Sequence, residues 1–205
     1  MQVLPDTSAL LALDSEAQDL LFREAHTTYT FADEPVTDEQ VRAIYDLVRW
    51  APTAVNGQPL RVLLVRSGDA RQRLVPFMMD SNQGKVATAP LVAVLAYDTD
   101  FHENLPRLLP HAPGAKDWFA QEAPRVASAH ENAALQAAYF LLGVRAAGLG
   151  AGPMSGFDAS GVDAEFLADT SWRSFMVVTL GVPAEEGAWH PRSPRMDYEE
   201  VFHEV

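Results

Sequence analysis

The sequence predicts a single α+β domain, and three features carry that prediction. Two continuous apolar runs, LVAVLAY after Pro90 and SFMVVTLGVP from Ser174, have the length and composition of strands buried on both faces. A long helical pattern from about Pro124 to Ala147 is apolar nearly all round, so it belongs in the core. Thr37-Asp38-Glu39-Gln40 forms a capping box ahead of helically spaced Val41, Ile44, Tyr45 and Val48. Hydrophobic residues make up 48% of the 205 and run along the whole length, enough for one sizeable core.

The remaining elements follow in chain order. Residues 8–24 set leucines and Phe22 among acids, an amphipathic helix. The capping-box helix ends at Pro52. Arg61–Arg66 reads as a strand, and Asp69 caps a helix reaching about Met79. Residues 101–119, with three prolines and a glycine, form an irregular excursion. Gly148 stands where a helix C-terminal cap belongs, and a loop, GLGAGPMSGFD, follows it. A short helix around Asp163–Ala168 precedes the last strand. The ending, RMDYEEVFHEV, is too short to fold alone and must dock on the domain or on a second subunit.

Composition excludes several classes. The formal charge is −13, from 15 Lys+Arg against 28 Asp+Glu, which repels nucleic acid and anionic membrane surfaces. With no cysteine, there is no disulfide, thiolate nucleophile or Fe–S cluster. The N-terminus lacks a basic region, and no apolar stretch approaches the roughly 18 residues of a membrane span. A soluble cytoplasmic protein is expected. Ser155 lacks the G-x-S-x-G spacing, no lysine ends a P-loop, and the Gly148–Gly152 glycines follow a helix rather than a strand. The six histidines are scattered, with no metal-binding pair, so no metal site is expected.

Four polar stretches remain. The loop from Trp50 to Pro59 can present backbone N–H groups and amides to a heteroaromatic ring or phosphate, or be an ordinary turn with polar decoration. Asn82 and Lys85, just before the strand at Leu91, would share a helical face and meet a planar anion, or form a solvated pair. Gly150–Asp158 permits close backbone approach to a ligand, or simply connects two elements. Arg192 and Arg195 could grip phosphate bidentately or pair with surface acids.

In this order, the four stretches resemble the nitroreductase family. APTAVNGQP at 51–59 is similar to that family's A-P-S-S-x-N-x-Q-P loop, with Thr53 and Ala54 in place of the serines. FADEPVTDEQ at 31–40, the Asn82/Lys85 pair, GPMSGFD at 152–158 and the ending from Arg195 to Val201 also match. LPRLLPHAPGAKDWF, QAAYFLLGVRAAGLGAGPMSGFD and RSPRMDYEE further resemble the malonic-semialdehyde and haloacid-pathway reductases.

The resemblance implies a mostly antiparallel sheet flanked by helices, an intertwined homodimer, and FMN bound between subunits. It implies hydride transfer by a ping-pong route from NADH or NADPH to a small acceptor. Malonic semialdehyde is one such acceptor; nitroaromatics and quinones are the alternative, and a non-catalytic flavin-binding module is a third reading. By position, Asn82 would meet the pyrimidine edge of the ring and Lys85 its anionic N1/O2 region. Backbone N–H groups near Ser155 and Gly156 would face N5 and O4, and Pro153 would belong to the same flavin site. Pro52, Thr53, Ala54 and Asn56 would come from the partner subunit, and Arg192 and Arg195 would hold the phosphate. The family's first flavin-binding stretch carries an arginine where this chain has Ala25 or His26. Thr27 keeps the hydroxyl position, and either FMN binds more weakly or Arg23 reaches in. His102, Arg107 and His111 of the excursion are candidates for an acceptor's carboxylate. The excursion's other reading is a surface loop that packs Leu105 and Trp118 at a dimer interface.

Overall fold

The structure is a computed structural model that describes residues 10–205. The first predicted helix therefore has Ser8 and Ala9 outside the described residues. Within them it shrinks to α1 (Ser15–Gln18), capped by the Asp14 carboxylate, and a π-turn over Asp19–Arg23. Leu10, Leu11 and Leu13 are exposed, so no apolar face is packed there to hold a longer helix.

The capping box forms as expected. Gln40 N donates to the Thr37 hydroxyl, and Thr37 N donates to the Gln40 side chain, opening α2 (Asp38–Val48). Strand β1 (Leu60–Val65) leads to α3 (Gly68–Leu74), whose cap is Ser67 rather than Asp69. The Ser67 hydroxyl accepts from Ala70 N, a role a residue already inside the first turn cannot take. Beyond a 3₁₀ turn, α4 (Asp80–Thr88) carries Asn82 and Lys85, followed by β2 (Leu91–Asp98). The excursion is irregular as predicted: 3₁₀ turns flank one helical turn, α5 (Leu105–Leu108). Helix α6 (Glu122–Ala146) ends with Gly148 at φ 74°, the left-handed cap the sequence foretold.

The predicted loop after Gly148 is instead β3 (Gly150–Met154), paired antiparallel with β4 (Trp172–Gly181). Its glycines are needed because residues 27–29 lie directly on the strand. A Cβ at Gly150 would stand 2.4 Å from the Thr28 hydroxyl, and one at Gly152 2.6 Å from the Thr28 carbonyl oxygen. The predicted helix at 163–168 is α7 (Ala159–Phe166), started earlier because the Asp158 side chain accepts from Gly161 N. A final turn, α8 (Tyr198–Val201), lies in an exposed tail.

The sheet order is β1-β2-β4-β3, with every neighbouring pair antiparallel. Helices cover both faces, which explains the unbroken apolar run of β2. Leu91, Ala93 and Leu95 join the core cluster that includes Ile44 of α2 and Phe140 of α6. Val92 and Val94 point the other way, into a second cluster with Leu74, Val86 and Val162. Helix α6 is less enclosed than its composition suggests, since Leu135 and Tyr139 remain exposed on this chain. No described helix is long and apolar enough to cross a membrane.

Candidate functional site

One edge of the sheet carries a polar cradle. The segment Thr27–Tyr29 runs beside β3, fixed by Thr28 N donating to the Ala151 carbonyl at 2.9 Å. Helix α4 closes the other side. Between them lies a cavity of about 200 Å³ lined by Thr27, Tyr29, Asn82, Lys85 and Pro153, among others.

The cradle is internally locked. Lys85 Nζ donates to Asn82 Oδ1 at 3.1 Å, and Asn82 Nδ2 donates to the Gly156 carbonyl at 3.1 Å. The Lys85 ammonium also sits 4.8 Å from the centre of the Tyr29 ring, an attractive cation–π geometry. Met79 N adds a second bond to the Gly156 carbonyl. This approach explains the glycine: a Cβ at position 156 would be 2.7 Å from Met79 Sδ and 2.9 Å from Asn82 Nδ2. Ser155 is exposed beside it.

Beyond Thr28, which lines both, a smaller cavity of about 160 Å³ is bordered by His26, Arg145 and Trp189. His26 stacks on Trp189 with ring centres 5.4 Å apart. Arg192 donates to the backbone carbonyls of Arg23 and Ala25 and lies 3.2 Å from His26 Nε2. Arg145 reaches the Leu21 carbonyl, while its Nε is buried without a partner. Burial, and secondarily the Arg192 charge, lower the Arg145 pKa from its ordinary value. The groove thus has an amide–lysine pair at one end and a cluster of cationic side chains at the other.

One expectation fails here. Arg23 does not reach in; it turns back to Asp19, Gln18 and the Ser15 hydroxyl, neighbours its own short helix supplies. Arg192 takes the place beside His26. Among the described residues Arg195 donates only to the Ser193 and Pro194 carbonyls and lines neither cavity, on a tail that is exposed beyond Arg192.

Pro52, Thr53, Ala54 and Asn56 also line neither cavity. Their loop is nevertheless strongly built. Ala54 N donates to Asn132 Oδ1 at 2.7 Å, Asn56 Nδ2 to the Leu108 carbonyl at 2.8 Å, and Gln58 N to the Thr53 hydroxyl. Val55, Asn56 and Gln58 adopt φ of 49°, 54° and 45°. For β-branched Val55 that conformation is a strain of about 1–2 kcal/mol. Asn132, buried on α6, and Gln136, which accepts from Leu60 N at 3.0 Å, hold this corner and were missed from the sequence. Two amides four residues apart, on one face of a helix whose centre is largely apolar, are the available signal.

The family model described as Nitroreductase family matches residues 22–182. The chain belongs to the nitroreductase family. A Streptomyces griseus protein named NADH dehydrogenase/NAD(P)H nitroreductase is 62% identical over 193 residues, covering 94% of this chain and 97% of that protein. A Bacillus subtilis nitroreductase structure superposes with a TM-score of 0.84 at 23% identity, covering 93% of this chain and 99% of that one. An Exiguobacterium sibiricum nitroreductase, solved in complex with FMN, gives 0.82 at 19% identity, covering 95% and 98%.

On this nitroreductase fold the excursion's three candidates do not converge. His102 is buried against Phe101, its Nδ1 without a partner and its Nε2 3.6 Å from the Glu103 carboxylate. His111 is exposed. Arg107 alone borders a cleft, shared with Arg49 and Gln58. Leu105 is fully buried within this chain rather than offered to another, whereas Trp118 is exposed. Hydrogen bonding to Lys116 is the main cause that lowers the Glu103 pKa from its ordinary value.

Proposed function

We propose that this nitroreductase is an FMN-dependent NAD(P)H oxidoreductase that works as a homodimer and passes hydride to a small acceptor. The observation that carries the reading is the cradle: Lys85, Asn82 and the Gly156 carbonyl in one hydrogen-bonded chain at a cavity wall. That donor set fits FMN, whose ring has a polar edge that becomes anionic on reduction and whose phosphate needs cations at the opposite end. When bound, FMN supplies the two-electron chemistry. Lys85 would balance negative charge at the ring, with Asn82 orienting the edge it meets. Thr27, Pro153, Ser155 and Gly156 would form the near wall. His26, Arg192 and, from the tail, Arg195 would hold the phosphate.

The other wall belongs to a second copy in this reading. Pro52, Thr53, Ala54 and Asn56 belong to a strained, well-anchored loop that lines neither of the two cavities described above. Trp50, Leu135 and Tyr139 leave apolar surface exposed nearby in the same elements, and Tyr198, Val201 and Phe202 do so on the tail. The relatives' names favour nitro compounds as acceptors, with quinones of similar electrophilicity. Malonic semialdehyde is the narrower reading, favoured by Arg107 at its cleft. A cytoplasmic setting completes the proposal.

The test is the visible spectrum of the purified protein, followed by anaerobic titration with NADH and with NADPH. A yellow protein that bleaches with either donor is expected. Colourless protein that takes up no added FMN would overturn the reading. Bound FMN that neither nucleotide reduces would leave a non-catalytic flavin-binding module. Comparing kcat/KM for malonic semialdehyde, a quinone and a nitrofuran ranks the acceptors.

A further inference from the structure

A cleft of about 430 Å³ lies among the C-terminal end of α2, the start of β1 and α5. Among the described residues no Asp or Glu lines it, although the chain carries a net charge of −13. Three arginines do, and they differ in how far each is already engaged.

Arg61 is committed. It pairs with Asp98 at 2.7 Å and donates to the Gln58 and Leu60 carbonyls at 2.9 Å each. Arg49 lies over the rings of Tyr45 and Trp50, and its nearest carboxylate, Asp46, is 3.9 Å away in an exposed pair that contributes little. Arg107 makes no hydrogen bond or ion pair among the described residues. Asn104 adds an amide to the same lining. Two guanidinium groups with unspent donors, facing one cavity of small-molecule size, form a receptor for a planar organic anion.

We propose that this cleft binds the carboxylate of an organic acceptor molecule, with Arg107 as the principal contact and Arg49 as its support. The cleft adjoins the strained loop, because Asn56 Nδ2 donates to the carbonyl of Leu108, itself part of the cleft wall. That connection places the anion site beside the residues assigned to the neighbouring copy's flavin. Describing the ligand as the acceptor rests on the oxidoreductase reading above; the binding of a carboxylate does not. Arg107 is a specificity residue here, with no part in the redox step.

The test uses 4-nitrobenzoate and its uncharged counterpart 4-nitrobenzamide on the full-length protein. Calorimetry reads 4-nitrobenzoate affinity, and steady-state kinetics read the kcat/KM ratio of anion to amide. Arg107→Gln should weaken 4-nitrobenzoate binding about tenfold and lower the ratio by a similar factor, chiefly through KM. Arg49→Gln should do the same more weakly, and Arg107→Lys should keep part of the preference. Affinity and ratio unchanged in both glutamine variants would overturn the proposal. If neither nitro compound turns over but 4-nitrobenzoate still binds through Arg107, the anion site stands and its description as an acceptor site falls, while bleaching of bound flavin by NADH or NADPH separately decides the oxidoreductase reading.

Discussion

The cradle at residues 27–29, 82–85 and 153–156 and the loop at 52–58 are both polar and both well anchored, yet they are finished to different degrees. In the cradle, groups at one cavity wall answer one another: lysine to asparagine, asparagine to carbonyl, ammonium to ring. The loop is fixed from behind by Asn132 and Asn56, while its front borders no part of that cavity. Left-handed Val55 is kept only because its surroundings over-determine it. In the reading proposed above, one chain holds two halves of unlike sites rather than one whole site, and the strained loop faces a second copy.

Crowding the cradle should have the largest effect. Gly152→Val would push a branched side chain toward the Thr28 carbonyl and the Thr179 hydroxyl, moving backbone as well as side chain. A loss of about 3 kcal/mol or more is expected, read as the urea midpoint, together with loss of flavin uptake. A stable Gly152→Val protein would mean the strand and residues 27–29 are not packed as described.

Next is the support behind the loop. Asn132→Ala leaves Ala54 N without its acceptor and should cost about 1–3 kcal/mol. It should also weaken FMN binding without touching the cradle. Flavin affinity that matches the wild type would detach the loop from the site.

Val55→Gly separates strain from contact. It should raise stability by up to about 1 kcal/mol by relieving the left-handed conformation, and lower flavin affinity by loosening the loop. A fall in Tm would show that the valine side chain packs more than it strains.

The smallest effect concerns the excursion. Because the folded pKa of Glu103 is depressed, its bond to Lys116 stabilises above the unfolded-state pKa. That contribution is lost as pH falls through the lower, folded value. Amide protection factors around residues 103–116, which remove the intrinsic slowing of exchange in acid, should therefore fall toward low pH in the wild type, and Lys116→Ala should flatten the change. An identical pH response in both proteins would remove the latch.

Much of this was legible in the sequence because the signals were local. The capping box at Thr37, the cap at Gly148 and the doubly buried β2 follow from spacing and side-chain chemistry alone. Gly150–Met154 was read as a loop because its glycines answer to Thr28, more than 120 residues earlier, and no local pattern carries that contact. The place of Arg192 beside His26 is equally non-local, whereas Arg23 is held by local partners, Ser15, Gln18 and Asp19, that the sequence does offer. Asn132 was passed over because an apolar helix draws attention to its core face, whereas the polar residue in it anchors a loop 78 positions away.

Whether two chains complete each site can be measured by complementation. One variant, Asn82→Ala with Lys85→Met, spoils the cradle; another, Thr53→Val with Asn56→Ala, spoils the loop. Each alone should bind no FMN. A purified heterodimer of the two, isolated through different tags, should regain one flavin per dimer, since one cradle then meets one intact loop. A heterodimer as empty as its parents would mean that cradle and loop serve the same chain, and the account built on paired halves would be wrong.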